Sequence, residues 1–77
     1  MQDFVDGVEM MERMLVAGVD HMTLLDILKL ANSISSLASK KARFATLAGD
    51  AQVRRGWADL RDRADAVLVE AMEKYSA

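Results

Sequence analysis

The chain has no cysteine and no proline, and these two absences narrow what it can be. Without cysteine, no disulfide can supplement a small hydrophobic core and no thiolate can bind a metal ion. Without proline, and with only four glycines in 77 residues, few positions interrupt a helix. Aromatic residues make up only 5% of the chain, which does not favour a nucleic-acid-binding surface built from stacked rings.

Long apolar runs are missing as well. No segment approaches the length of a transmembrane helix or resembles the core of a signal peptide. Hydrophobic residues still make up 52% of the chain, which is too many for a disordered protein. We therefore expect a soluble, cytoplasmic protein with no membrane partner. Its initial Met and short polar end are consistent with a complete small gene product.

The chain also lacks a recognisable catalytic or metal-binding motif. His21 is the only histidine, and its sequence neighbour Asp20 does not by itself orient it toward a nucleophile. One histidine with scattered carboxylates does not have the spacing of metal ligands. We predict that the protein is not an enzyme and that it binds no cofactor or metal ion.

Good helix formers dominate what remains: Ala, Leu, Met, Glu, Lys and Arg. Apolar residues recur at spacings of three and four, which predicts helices at about 2–17, 22–48 and 51–75. The short connections around Gly18 and Gly49 predict helices that fold back on one another. We therefore predict an all-α fold formed by a single domain, residues 1–77. A short N-terminal helix would pack on a long antiparallel helical hairpin, although exchange of helices between subunits across Gly49 is an alternative.

The second helix carries two apolar stripes about 100° apart, since an α-helix has 3.6 residues per turn. Both are predicted to be buried. The stripe of large residues contains Ile27, Leu30, Ile34, Leu37 and Phe44, and the stripe of small residues contains Ala31, Ser35, Ala38, Ala42 and Ala45.

The predicted helices differ in length, and this difference leaves one end of the hairpin uncovered. At 1.5 Å per residue the second and third helices are each ~39 Å long, whereas the first is ~24 Å long. The first helix would then cover the second only to about residue 39. Residues 40–57, which we call the hairpin tip, would need another cover, most simply a second copy of the chain. The predicted self-association residues are Phe44, Leu47, Val53, Trp57 and Leu60.

Positive charge concentrates at the same tip. Residues 27–57 contain six basic residues and one acidic residue, whereas residues 1–26 contain one basic and six acidic residues. Arg54 and Arg55 lie in the first turn of the third helix, where the helix dipole disfavours cations, so their presence suggests anion binding. A charged tip that only balances the acidic first helix of a neighbouring subunit is the simpler interpretation. The predicted partner or anion-binding residues are Lys40, Lys41, Arg43, Arg54, Arg55 and Trp57.

These features predict a small non-enzymatic regulatory or inhibitory protein that forms a homodimer and docks on a protein partner. Inhibitors encoded by phages or other mobile elements, and antitoxin-like proteins, are of this kind. Phe44, Leu47 and Trp57 would be the apolar anchors, with basic residues of the tip steering the encounter. Two alternatives remain open: a binder of an anionic ligand, either nucleic acid or a phosphorylated small molecule, and a structural assembly subunit.

Overall fold

Three α-helices form the structure, a computed structural model that describes residues 1–75. Helix α1 spans Gln2–Ala17, α2 spans His21–Leu47 and α3 spans Ala51–Tyr75. The described residues contain no strand, so the prediction of an all-α, three-helix protein is confirmed. The predicted helix ranges differ from these bounds by at most one residue, and residues 76 and 77 of the predicted domain lie outside the described residues. No helix within residues 1–75 combines the length and the apolar character needed to cross a membrane.

The helix ends follow from local backbone chemistry. Gly18 and Gly49 have positive φ angles of 95° and 75°, which only glycine adopts without strain, and they stand just beyond α1 and α2. The Asp20 carboxylate accepts a hydrogen bond of 2.7 Å from the Thr23 N–H and caps α2. Asp50 caps α3 in the same way, accepting from the Val53 N–H at 3.1 Å.

The capping hydrogen bonds from Thr23 lower the pKa of the Asp20 carboxyl below its ordinary value. A lowered pKa in the folded state means that the ionised carboxylate is the form that stabilises the fold. The contribution of this cap is therefore fully present above the ordinary pKa of the carboxyl. It is lost as the pH falls through the lowered value.

The three helices form a rod 43 Å long. Helices α2 and α3 run antiparallel and make the largest interface, across which the Ser35 hydroxyl donates to the Asp65 carboxylate at 2.6 Å. Helix α1 lies mainly against α3 and runs parallel to it, instead of lying mainly on α2 as predicted.

Polar contacts along α3 hold α1 in this position. Arg63 donates to the Glu12 carboxylate at 2.6 Å. At the far end, the Tyr75 hydroxyl accepts from the Val19 N–H at 2.9 Å. Lys74 donates to the Leu15 carbonyl in the same region. The last turn of α3 is therefore tied to the connection between α1 and α2.

The core draws on all three helices, and its α2 contribution differs from the prediction. The stripe of small residues is buried as predicted, apart from the half-buried Ser35. The stripe of large residues divides: Ile27 and Ile34 are buried, whereas Leu30 and Phe44 are exposed. The residues of the core cluster are Val8, Met11, Leu15, Leu24, Ile27, Ala31, Ile34, Ala38, Leu60, Ala64, Val67 and Ala71.

Leu60 corrects one prediction about self-association. Its side chain is 2% exposed and belongs to the core of its own chain. A second copy cannot contact this side chain in the observed conformation. Leu60 is therefore a folding residue and not part of an available surface.

We expect the substitution Gly56→Ala to stabilise the protein by about 0.5–1 kcal/mol. Gly56 lies inside α3, where glycine is less favourable than alanine by about 1 kcal/mol. An added Cβ would lie 3.2 Å from the methyl group of Met1, which is the movable end of a flexible side chain. Urea unfolding followed by circular dichroism measures the change.

The control for this substitution is Gly49→Ala, because Gly49 has a positive φ that alanine adopts only with strain. Gly49→Ala should lower the free energy of unfolding. If Gly56→Ala lowers it as well, the Met1 side chain is held rigidly against α3.

Candidate binding surfaces at the hairpin tip

Three residues of the large stripe, together with Leu47, form a row along α2. Its members are seven, seven and three residues apart. The first three therefore drift by only about 20° per step, whereas Leu47 lies about 60° further around the helix. The row extends over 17 residues, or ~25 Å. We call it the apolar row: Leu30, Leu37, Phe44 and Leu47.

Neighbouring helices leave this row open. Ile34 faces α1, since its terminal methyl group lies 3.9 Å from the position of a Cβ added to Gly7. Leu30 and Phe44 lie on the adjacent side of α2. Leu30 is 44% exposed there and Phe44 is 67% exposed. Leu47 is 78% exposed at the end of the helix, and Leu37 is half-buried. The fold of a single chain therefore leaves an apolar helix face in water.

Trp57 is covered to a greater extent than predicted. Its ring lies 6.2 Å from the ring of Phe4, with a tilt of 55°, and packs against the core. Because α1 runs along α3, its first turn reaches this point of the hairpin. Val53, one turn closer to the tip, remains exposed. Trp57 is thus not a free apolar anchor in the way that Phe44 and Leu47 are.

The second feature of the tip is a groove of about 400 Å³ between α2 and α3. Helix α2 contributes one guanidinium group and α3 contributes two, and no carboxylate of the described residues lines it. We call it the arginine groove, and its lining residues are Ser39, Ala42, Arg43, Thr46, Arg54, Ala58 and Arg61.

The charges of the arginine groove are only weakly compensated. Arg61 pairs with the neighbouring Asp62 at 3.1 Å, and both side chains are exposed enough for water to screen the pair. Arg43 and Arg54 form no ion pair within residues 1–75. The Thr46 hydroxyl donates to the Ala42 carbonyl at 3.0 Å, which leaves its oxygen as an acceptor. Three arginines therefore line one groove, and among residues 1–75 only Arg61 of the three forms an ion pair.

The structure separates the predicted basic residues into two groups. Arg43 and Arg54 line the arginine groove, whereas Lys40, Lys41 and Arg55 are exposed and do not line it. The predicted binding residues did not include three polar residues of the groove, Ser39, Thr46 and Arg61, or its two alanines. Their spacing is the signal that was available, since Arg61 follows Arg54 by seven residues, and Arg43 and Thr46 follow Ser39 by four and seven.

A shallow depression of about 320 Å³ lies elsewhere, on α1. All its lining residues belong to that one helix: Glu12, Arg13, Val16 and Ala17. With no second element to enclose a ligand, it has less of the concave form of a binding site than the arginine groove has.

The only histidine of the chain does not line the arginine groove. His21 is exposed in the first turn of α2, beside the capping carboxylate of Asp20. Among residues 1–75, no three His, Asp or Glu side chains come together in a way that could hold a metal ion. Comparison of the chain with protein-family models, curated proteins and solved structures finds no match.

Proposed function

We propose that this chain is a small non-enzymatic binding protein that forms a homodimer through α2 and regulates or inhibits a protein partner by docking on it. The observation that supports this proposal is the exposed apolar row. Isolated exposed leucines are common on protein surfaces, but an ordered row over four helical turns is not. The proposed role needs only a surface and no catalytic group.

The energetic argument for covering the row is direct. Burial of a leucine or phenylalanine side chain contributes about 1.5–3 kcal/mol. Several such contributions, reduced by the cost of association, are enough for a specific complex. A seven-residue repeat also matches the spacing at which one helix packs along another. The natural occupant of the row is therefore a second helix.

A second copy of α2 fits the row by symmetry. In an antiparallel pair centred on Leu37, Leu30 of one copy lies beside Phe44 of the other, because both are seven residues from the centre. Such an interface uses the same surface on both subunits, which is the usual arrangement in a homodimer.

A protein partner would engage the tip, where Leu47 and Val53 extend beyond α1. The exposed basic residues Lys40 and Arg55 belong to the two helices of the tip. Charges at the rim of an interface raise the rate of encounter with a partner of opposite charge. We therefore expect an acidic partner surface with an apolar centre.

The test is the double substitution Leu30→Ser and Phe44→Ser. Both side chains are exposed, so the fold should survive with its helical circular dichroism signal intact. Sedimentation of the wild-type protein should give twice the chain mass of 8.5 kDa, and the double variant should sediment as a monomer. A partner recovered with the wild-type protein should be lost in parallel.

The matched control is Val69→Ser with Met72→Ser, two exposed apolar residues of α3 outside the row. This variant should remain dimeric. A wild-type protein that is monomeric at high concentration contradicts the proposal, as does equal dissociation of the two double variants. A single large closed oligomer that ignores changes at the tip would instead indicate a structural subunit.

A further inference from the structure

We propose that the arginine groove is a binding site for a phosphate group, carried either by a small phosphorylated molecule or by a nucleic-acid backbone. This inference does not depend on the apolar row or on self-association. It rests on the convergence of three guanidinium groups from two helices on one groove.

The arrangement of donors suits a tetrahedral anion. Each guanidinium carries five N–H donors in a planar fork that pairs bidentately with phosphate oxygens. Arg43 lies on the α2 side of the groove, and Arg54 and Arg61 lie two turns apart on the α3 side. A group bound between them would therefore be approached by donors from both helices.

Small residues create the space for such a group. Ala42 and Ala58 line the groove from the two facing helices, where longer side chains would fill it. The volume of about 400 Å³ falls within the range of small-molecule sites. The groove is thus large enough for a phosphate group together with part of the molecule that carries it.

The charge balance of the groove favours an anion. Arg54 lies in the first turn of α3, where the helix dipole opposes a positive charge. Asp50 already accepts from the Val53 N–H, so the cap of α3 does not neutralise this arginine by a direct ion pair. A bound phosphate would reduce the repulsion among the three arginines and would compete with Asp62 for Arg61.

Phosphate fits this groove better than a carboxylate does. A phosphate group carries a charge of about −1.5 to −2 at pH 7 and has three strong acceptor oxygens, enough to engage arginines on both sides. The Ser39 hydroxyl makes no hydrogen bond within residues 1–75 and can donate to one of these oxygens. A single carboxylate can occupy one guanidinium fork and leaves the others unpaired.

The test measures binding of two probes to the full chain by calorimetry: inorganic pyrophosphate and a single-stranded oligonucleotide. Arg54→Glu should weaken the binding of the preferred probe by about tenfold or more, since it removes a charge-assisted contact. Arg55→Glu is the matched control, because it changes the same residue type in the same helical turn outside the groove. Its effect should stay within about twofold.

A second variant, Ala58→Leu, leaves every charge in place and fills the groove. It should also weaken binding by about tenfold, with the helical signal unchanged, because Ala58 is only half-buried. Tighter binding of pyrophosphate identifies a small phosphorylated ligand as the source of the phosphate. Tighter binding of the oligonucleotide identifies a nucleic acid. In that case the logarithm of the association constant should fall with the logarithm of the salt concentration with a slope of about −2, as expected for three phosphate contacts.

Three results would overturn the proposal. The first is that the wild-type protein binds neither probe at millimolar concentration. The second is that Arg54→Glu and Arg55→Glu weaken binding equally, which would indicate general attraction by the basic tip. The third is that folded Ala58→Leu binds as well as the wild-type protein.

Discussion

Replacement of Leu15 by alanine should lower the free energy of unfolding by about 2–5 kcal/mol. Leu15 is fully buried in the last turn of α1 and belongs to the core that joins all three helices. The substitution removes buried apolar surface and leaves a cavity that closely packed neighbours fill only in part. A domain of this size has a total stability of about 5–15 kcal/mol at most, so the variant should be close to unfolding.

The next residue supplies the control. Val16 is 79% exposed on the same turn of α1, so Val16→Ala removes a similar amount of hydrocarbon from the surface. Its effect should stay within about 0.5 kcal/mol. Urea unfolding of both variants, followed by circular dichroism at 222 nm, makes the comparison. Equal losses would mean that α1 is not packed into the core as described.

The substitution Ala38→Leu should be almost as damaging, with a loss of about 3 kcal/mol. Ala38 is fully buried at the middle of the small stripe of α2. A leucine there must displace the neighbouring helix or adopt a strained rotamer, and overpacking of this kind costs about 1–3 kcal/mol and occasionally more. Thermal unfolding by calorimetry measures the loss.

Ser36→Leu adds a leucine of the same size two residues earlier, on the exposed side of α2. Because leucine is a better helix former than serine, this variant should be neutral or slightly more stable. If Ala38→Leu is tolerated equally well, then α2 and α3 are not in the close contact that the buried alanines indicate.

The helix bounds could be predicted from the sequence because their signals are local. Gly18 and Gly49 each mark the end of a helix, and Asp20 and Asp50 each supply a carboxylate to the next N-terminus. These interactions involve residues within a few positions of one another. Nothing elsewhere in the fold has to be known to identify them.

The position of α1 could not be predicted in the same way. A short connection after Gly18 requires α1 to turn back but does not decide which helix it follows. That choice depends on distant side chains of α3, above all Arg63 and Tyr75, which bond to α1 and to Val19. The prediction placed α1 on α2, and it consequently left Trp57 uncovered and expected Leu30 to be buried.

The arginine groove was partly accessible from the sequence. The seven-residue spacing between Arg54 and Arg61 is visible in the sequence and places both on one face of α3. The position of Arg43 opposite them depends on the antiparallel alignment of α2 and α3, which the length and geometry of the turn at Gly49 determine. Basic composition alone therefore indicated the segment that contains the groove, together with several residues that do not line it.

The ties that Tyr75 and Lys74 make to the α1–α2 connection give the rod two unequal ends. At the tied end, three helices and two hydrogen bonds to backbone atoms must separate together before the chain can open. At the opposite end only two helices meet, and their outermost apolar side chains are already hydrated. Local unfolding therefore costs less at the turn around Gly49 than at the end of the rod that these two hydrogen bonds tie. Any molecule held between α2 and α3 at the tip would clamp the part of the chain that opens most easily, and binding there would slow amide exchange along both arms of the hairpin.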